Sequence, residues 1–270
     1  MQVDKERLDV LLVQKGYFTS REQARRSIMA GLVCVNQERV DKAGTKVPVD
    51  AVIEVKGQLH PYVSRGGLKL EEALRIFPIR VAGRVMMDIG ASTGGFTDCA
   101  LQHGVKLVYA IDVGYGQLAW KLRQDPRVIV LERTNFRYLK PEELKGEPPD
   151  LATIDVSFIS LTHILPNLKA LLLPEGEVVA LIKPQFEAGR DQVGKKGIVK
   201  EPAVHRQVLS SFVQFAHSQG FEIMGLAPSP IQGGEGNIEF LSYLIHRKPV
   251  QAKDWTERIE EVVSEAHRRF

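Results

Sequence analysis

From Arg84 onwards, short apolar runs with the length of strands alternate along the chain with segments of helical periodicity. The runs predict strands near residues 85–89, 107–111, 128–131, 151–155 and 177–182, and the intervening segments predict helices near 95–103, 115–123, 160–172 and 203–218. Such alternation is typical of a mostly parallel sheet covered on both faces, because each crossover helix packs back onto the sheet. We therefore expect an α/β domain.

The end of the chain departs from this alternation. Two apolar runs, residues 221–226 and 238–246, leave little room for a helix between them. They predict a hairpin-like edge, which completes a seven-stranded sheet with one antiparallel strand. Residues 251–270 predict a polar C-terminal helix.

The first 59 residues have a different pattern, two short helical stretches followed by strands. Ser20 is placed to cap a helix over residues 21–30, and Gly31 is placed to end it. Short β-type runs follow from Val33. We expect a small α+β unit over residues 1–59, a Gly- and Pro-marked linker over 60–67 and a larger domain over 68–250.

Composition limits the class of protein. A chain of 270 residues that is 44% hydrophobic can bury the cores of two globular units. A net charge of +3 permits a nucleic-acid partner without requiring one. The two cysteines lack CxxC spacing and the seven histidines lack ligand spacing, so we expect neither a disulfide framework nor a metal site. With a charged N-terminus and no run of roughly 18 apolar residues, we expect a cytoplasmic protein that does not insert into membranes.

A glycine-rich turn follows the first strand of the larger domain. Open α/β sheets bind nucleotides at such a strand–turn–helix junction, although a tight turn without a ligand has the same pattern. Asp112 closes the next strand, where a carboxylate can accept both hydroxyls of a ribose. The glycines are spaced GxxxGG instead of GxGxxG, and Asp88 would repel a pyrophosphate, so we favour S-adenosylmethionine over NAD. The residues expected to hold this donor are Asp88, Gly90, Ser92, Thr93, Gly94, Gly95, Phe96, Asp112, Val113, Asn135 and Asp155.

Five segments together carry a family resemblance: residues 20–36, 64–70, 88–96, 153–158 and 181–187. In these segments the chain resembles the TlyA family, historically called hemolysin A. Members of that family join an S-four-type RNA-binding domain to an FtsJ-like ribose methyltransferase. The resemblance implies a Rossmann-like class I methyltransferase fold behind a small α+β RNA-binding domain, with ribosomal RNA or ribosomal subunits as the partner.

The resemblance also implies a Lys-Asp-Lys-Glu set at Lys69, Asp155, Lys183 and Glu239. A ribose 2′-hydroxyl is a poor nucleophile at neutral pH, so its attack on a methyl carbon needs alignment and removal of its proton. We assign Lys183 to orient and deprotonate the hydroxyl, Asp155 to position that lysine and the methyl group, and the other two to complete the network. Without the resemblance, each of the four is equally well an ordinary solvated, capping or turn residue.

Basic residues supply the expected RNA contacts. Arg21, Arg25 and Arg26 fall on adjacent faces of one predicted helix, which by itself is more typical of a solvated surface. The resemblance to the S-four-type domain favours phosphate binding instead. A loop over residues 190–200 adds further positive charge beside the active-site strand. The full expected set is Arg7, Arg21, Arg25, Arg26, Arg65, Lys195 and Lys196.

Three other functions stay open at this point. Residues 155–158 have the outline of an acid-x-x-aromatic loop that methylates base amines, although the two prolines usual there are missing. The historical family name suggests a membrane-active role, for which the chain offers no strongly amphipathic cationic helix. A binding protein that keeps the fold without catalysis is the third.

Overall fold

The computed structural model describes residues 4–18, 20–56, 60–248 and 253–270. Contacts divide the chain into two compact units, Met1–Pro61 and Tyr62–Phe270. Residues 62–67, within the segment expected as a linker, thus pack with the larger unit. The domain boundaries at 59, 67 and 250 stay predictions.

The smaller unit packs two helices against short strands. Its elements are β1 (Lys5–Arg7), α1 (Leu8–Gln14), α2 (Arg21–Met29), β2 (Val33–Val35), β3 (Glu38–Arg39), β4 (Lys46–Pro48) and β5 (Ile53–Val55). Leu8, Leu12, Ala24 and Ile28 have no exposed surface and form the centre of its core. The predicted cap is present, since Ser20 Oγ accepts a hydrogen bond from the backbone N–H of Gln23. The strand β1 was not expected from the sequence.

The larger unit contains the remaining helices and strands. They are α3 (Gly67–Ile76), β6 (Val85–Ile89), α4 (Gly95–Gln102), β7 (Leu107–Ile111), α5 (Trp120–Arg123), β8 (Val128–Leu131), β9 (Leu151–Ile154), α6 (Leu165–Leu171), β10 (Glu177–Ile182), α7 (Pro184–Glu187), α8 (Pro202–Ser218), β11 (Glu222–Pro228), β12 (Phe240–Ile245) and α9 (Thr256–Arg269).

Seven strands of this unit form one sheet in the order β11-β12-β10-β9-β6-β7-β8. Strand β12 pairs antiparallel with both of its neighbours, and the pairs from β10 to β8 are parallel. The predicted α/β architecture with a single antiparallel strand is therefore confirmed. The chain leaves β6 toward β7 on one side and later returns to pair β9 on the other, so the strand order reverses at β6.

Strand β6 lies between two cores. Val85, Met87 and Ile89 belong to the core on one face of the sheet, and Met86 belongs to the core on the other. Side chains alternate between the faces of a strand, so Asp88 shares the face of Met86. This places its carboxylate toward α4.

Two predicted helices are shorter in the structure than the sequence suggested. Residues 115–119 are not helical, because Gly116 has a left-handed backbone (φ +72°) and the Ala119 N–H bonds to the carbonyl of Thr93. Only Trp120–Arg123 forms a helix. The segment 160–172 divides into a 3-10 turn, Leu161–His163, and α6, which has Pro166 in its first turn. Of the predicted C-terminal helix, residues 251–252 lie outside the described part.

In the described part of the chain, none of the helices is both long enough and apolar enough to cross a membrane.

Candidate active site

The expected site residues lie where the central strands end. Gly90, Asp112, Asp155 and Lys183 follow the C-terminal ends of β6, β7, β9 and β10. Glu239 joins them because β12 runs antiparallel and its first residue, Phe240, pairs with Ile182, the last residue of β10. In open α/β sheets, ligands bind at this edge, at the point where the strand order reverses.

The four residues implied by the family resemblance come together at this edge. Lys69 Nζ lies 2.7 Å from Glu239 Oε2 and 3.6 Å from Asp155 Oδ2. The other Asp155 oxygen, Oδ1, lies 2.5 Å from Lys183 Nζ. Asp155 thus lies between the two lysines, and Glu239 pairs with Lys69. We call these four side chains the tetrad.

The tetrad is largely withdrawn from solvent. Lys69 and Lys183 are each 7% exposed and Glu239 is 2% exposed. Burial alone would raise the pKa of Asp155, but the ammonium groups of Lys69 and Lys183 more than offset this and lower it. Asp155 is therefore a carboxylate at neutral pH and holds both lysines by charge.

Ser157 is a fifth member that the sequence did not single out. Lys183 Nζ donates a hydrogen bond of 3.1 Å to Ser157 Oγ. A lysine ammonium has three donor positions, so one position is left for a third partner beside Asp155 and Ser157. The only sequence signal for this residue is its place within the segment 153–158.

A cavity of about 500 Å³ opens over the tetrad. Its wall includes all four tetrad residues, Ser157, and the glycines Gly66, Gly233 and Gly234. We call this the catalytic cavity. Since Lys183 and Asp155 both lie in its wall, a group that enters the cavity meets the charged network directly.

The glycine turn after β6 requires glycine at two positions. Gly90 has φ +85°, and a β-carbon there would lie 2.6 Å from the carbonyl oxygen of Asp155. Gly94, at the N-terminus of α4, has φ +98° and would clash with Leu122. Only glycine combines this backbone with such close neighbours.

Asp88 supports the turn from inside. Its carboxylate accepts hydrogen bonds from the N–H and Oγ1 of Thr97, at 3.0 and 2.6 Å, and from Thr153 Oγ1, at 3.1 Å. Burial raises the pKa of Asp88 to about 6, although these hydrogen bonds act in the opposite direction. The side chain is 1% exposed and fixes α4 against the sheet.

A second cavity of about 310 Å³ lies beside the first. Asp112 lies in its wall and accepts one backbone N–H on each oxygen, from Ser92 at 2.8 Å and from Gly114 at 2.7 Å. A carboxylate has about four acceptor positions, so both oxygens can still accept from a ligand. We call this the donor cavity.

The predicted donor residues divide between the two cavities. Gly90, Ser92, Asp112, Val113, Asn135 and Asp155 line the donor cavity. Thr93, Gly95 and Phe96 line the catalytic cavity, as Asp88 does, and Gly94 lines neither of the two. Gln117 and Thr134 also line the donor cavity and were not among the predicted residues.

The two cavities share part of their walls. Gly90, Ser92, Asp155, Ser157 and Phe158 line both. A group held in the donor cavity can therefore face a group held in the catalytic cavity across Asp155 and Gly90.

Two of the three expected RNA contacts of the larger unit lie at the catalytic cavity. Arg65 and Lys196 are in its wall, and the side chain of Lys195 lies outside the described part. Phe158 is 91% exposed beside them, has φ +63° and lies 5.1 Å from the ring of Phe186. This pair of an exposed and a half-buried ring was not predicted.

The arginines expected to bind RNA in the smaller unit lie in two different environments. Arg21, Arg25 and Arg26 line one groove along α2. Arg7 and Arg21 also bind the buried carboxylate of Asp9, at 3.0 and 2.9 Å, and these bonds lower the pKa of Asp9 to about 2. Both arginines thus stabilise the small fold, whatever else they bind.

Across the described ranges, no three His, Cys, Asp or Glu side chains are grouped so that they could hold a metal ion.

The fold and this site define a class of protein. The chain belongs to the FtsJ-like methyltransferase family, whose model matches residues 62–245. A second family model, the S4 domain, matches residues 6–53.

Individual relatives match nearly the whole chain. A Bacillus subtilis protein provisionally named rRNA methyltransferase YqxC is 56% identical, over 99% of this chain and 96% of its own. The 16S/23S rRNA (cytidine-2′-O)-methyltransferase TlyA of Mycobacterium tuberculosis is 42% identical, over 97% and 98%. Among solved structures, a protein of Streptococcus thermophilus provisionally named a hemolysin is 53% identical, with a TM-score of 0.79 over 99% of this chain and 98% of that one.

These comparisons confirm three predictions: the resemblance to the TlyA family, the methyltransferase fold behind an S4 domain, and S-adenosylmethionine as the methyl donor. The roles of the individual site residues stay predictions.

Proposed function

We propose that this protein transfers a methyl group from S-adenosylmethionine to the 2′-hydroxyl of a ribose in ribosomal RNA. One observation carries the proposal: Asp155 of the tetrad lies in the wall that the donor cavity and the catalytic cavity share, and Lys183 pairs with it in the catalytic cavity. A methyl donor in one cavity and a hydroxyl in the other would meet beside Lys183 and Asp155.

The donor cavity suits S-adenosylmethionine. Asp112 has acceptor positions free for the two hydroxyls of its ribose. Asp155 adds a carboxylate to the wall, which favours a positively charged sulfur over a phosphate. When bound, the donor supplies an electrophilic methyl carbon.

The tetrad supplies the acid–base chemistry. Lys183 first gives one proton of its ammonium group to solvent, and its amine then holds the 2′-hydroxyl and receives the hydroxyl proton at Nζ. Asp155 holds that nitrogen by charge, and Ser157 accepts a hydrogen bond from it. Lys69 holds the other oxygen of Asp155, and Glu239 balances the charge of Lys69. The hydroxyl oxygen gains the methyl group and the sulfur becomes an uncharged thioether.

RNA recognition is assigned to both units. The arginines of α2 in the S4 domain bind the phosphates of the RNA. Arg65 and Lys196 bind the RNA beside the catalytic cavity. The exposed ring of Phe158 offers a surface on which the target base can stack. Ribosomal RNA is supported by the name of the M. tuberculosis relative, and a cytoplasmic location follows from that substrate.

The experiment uses the full chain, methyl-labelled donor and ribosomal subunits from cells that lack the protein. The labelled RNA is digested with alkali, which cleaves beside every free 2′-hydroxyl. We expect the label in alkali-resistant dinucleotides, because a methylated ribose blocks cleavage. Label confined to mononucleotides would mean base methylation and would contradict the proposal.

A further inference from the structure

Two turns at the rim of the catalytic cavity share an unusual backbone. In each, a charged residue with a left-handed conformation is followed by a left-handed glycine: Lys196 (φ +65°) and Gly197 (φ +72°), then Glu235 (φ +56°) and Gly236 (φ +85°). Lys196 and Glu235 are exposed and line the catalytic cavity. A non-glycine residue in this conformation persists only where its surroundings hold it.

Asn237 holds both turns. Its side-chain Nδ2 donates to the carbonyl oxygens of Gly197, at 3.0 Å, and Gly234, at 3.2 Å. Its Oδ1 accepts the backbone N–H of Val199, at 3.1 Å. The side chain is 4% exposed, so these bonds form away from water.

The orientation of this amide follows from its partners. Two carbonyls can only accept and one N–H can only donate, so a flipped amide would oppose all three groups. A carboxylate of the same shape would keep the Val199 bond and place an oxygen against both carbonyls. Asparagine is thus the side chain that the junction between the two turns requires.

The junction is anchored on the side away from the cavity and is close to the tetrad. The carbonyl oxygen of Val199 accepts a hydrogen bond of 3.2 Å from the buried His205 in α8. Asn237 is two residues from Glu239, and Gly233, at the start of the second turn, packs against the Glu239 carboxylate. Holding the turns therefore fixes the rim of the catalytic cavity.

We propose that Asn237 is a positioning residue for the RNA acceptor. By fixing the two turns it keeps a cation, Lys196, and an anion, Glu235, at set places on the rim. The cation attracts a phosphate of the entering strand and the anion repels it, so the pair sets the direction in which the strand lies across the cavity. This inference rests on the proposed function.

The test compares steady-state methylation of ribosomal RNA by the wild type and by Asn237→Asp. We expect the KM for RNA to rise about tenfold while kcat and the Kd for S-adenosylmethionine stay within about twofold, because the loss falls on acceptor placement. A KM within about twofold of the wild-type value would overturn the proposal. If the wild type itself methylates no RNA, the proposed function fails first.

A second variant, Lys196→Gly, tests the proposal if Asn237→Asp does not fold. Lys196→Gly suits the left-handed backbone, so its Tm should equal or exceed that of the wild type. We expect its KM for RNA to rise about fivefold and to depend less on salt, since one phosphate contact is lost. An unchanged KM and salt dependence would overturn the proposal.

Glu175→Gly is the matched control. Glu175 also has a left-handed backbone, φ +62°, but it lies just before β10, at the opposite end of that strand from Lys183. Its replacement should leave KM and kcat unchanged. A change in KM equal to that of Lys196→Gly would show that relief of strain, and not the cation, causes the effect.

Discussion

Asp155 explains why four charged groups can share a nearly dry site. Two buried ammonium groups repel each other, and a carboxylate between them removes the repulsion. The same carboxylate holds Lys183 toward the catalytic cavity. In the proposed mechanism, both the stability of the site and its chemistry therefore depend on Asp155. Removing any partner leaves an uncompensated buried charge.

Glu239→Gln tests this balance. The amide keeps the shape of Glu239 but leaves Lys69 without its nearest anion, 2.7 Å away. We expect the free energy of unfolding to fall by about 3 kcal/mol at pH 7. Urea unfolding measures it, and Glu265→Gln is the control, since Glu265 forms an exposed pair with Arg269 whose loss should cost under about 0.5 kcal/mol. Equal, small losses in the two variants would contradict the account.

Single residues were the hardest part of the site to predict. The tetrad was expected only through family resemblance, because a lysine or an acid at a strand end has many ordinary explanations. Asn237 gave no signal, and Ser157 gave only its place within residues 153–158, because a hydrogen-bonding residue is recognised by partners that are distant in sequence. Asn237, for example, bonds to Val199, 38 positions away.

At the scale of elements, prediction succeeded where burial is complete. Strands β6, β7 and β10 are almost entirely apolar and buried, and the sequence placed them at their observed positions. The prediction of a helix over residues 115–119 was wrong, because helical spacing was given more weight than Gly116 and because the hydrogen bond of Ala119 to Thr93 depends on the fold. Local pattern therefore predicts packed elements better than the turns that carry the site.

Helices α8 and α9 meet at a pair of histidines. His205 Nε2 donates to Val199, so its Nδ1 accepts the N–H of His267 Nε2, at 2.9 Å. Burial first, and then the neighbouring His267, lower the pKa of His205 to about 4. The fold therefore requires the neutral ring of His205. The charged groups near His267 are Glu201 and Arg206.

This pair predicts a pH dependence of stability. A histidine whose pKa is lower in the folded state stabilises the fold above its unfolded pKa, near 6.5, and the contribution is lost as the pH falls toward 4. We expect the wild type to lose up to about 1.4 kcal/mol per pH unit from this group. His205→Gln, which can make both hydrogen bonds without titrating, should show a flatter curve in urea unfolding. Parallel curves for the two proteins would contradict this assignment.

At the scale of the whole molecule, two units with separate cores carry different candidate binding surfaces. The smaller one carries an arginine groove and the larger one carries both cavities. The sequence predicted both units from their patterns, while the net charge of +3 indicated little about either. Charge is informative only where the fold gathers it, as in the tetrad and along α2.

The central claim is that Lys183 carries out acid–base chemistry next to a separately bound donor. Lys183→Ala tests it most directly, with methyl transfer to ribosomal RNA and calorimetry of S-adenosylmethionine measured on the same preparation. The exposed Lys169→Ala serves as the control and should behave as the wild type. We predict that methyl transfer by Lys183→Ala falls by about 1000-fold, while its Kd for the donor stays within about twofold. Turnover above about a tenth of the wild-type rate would contradict the account.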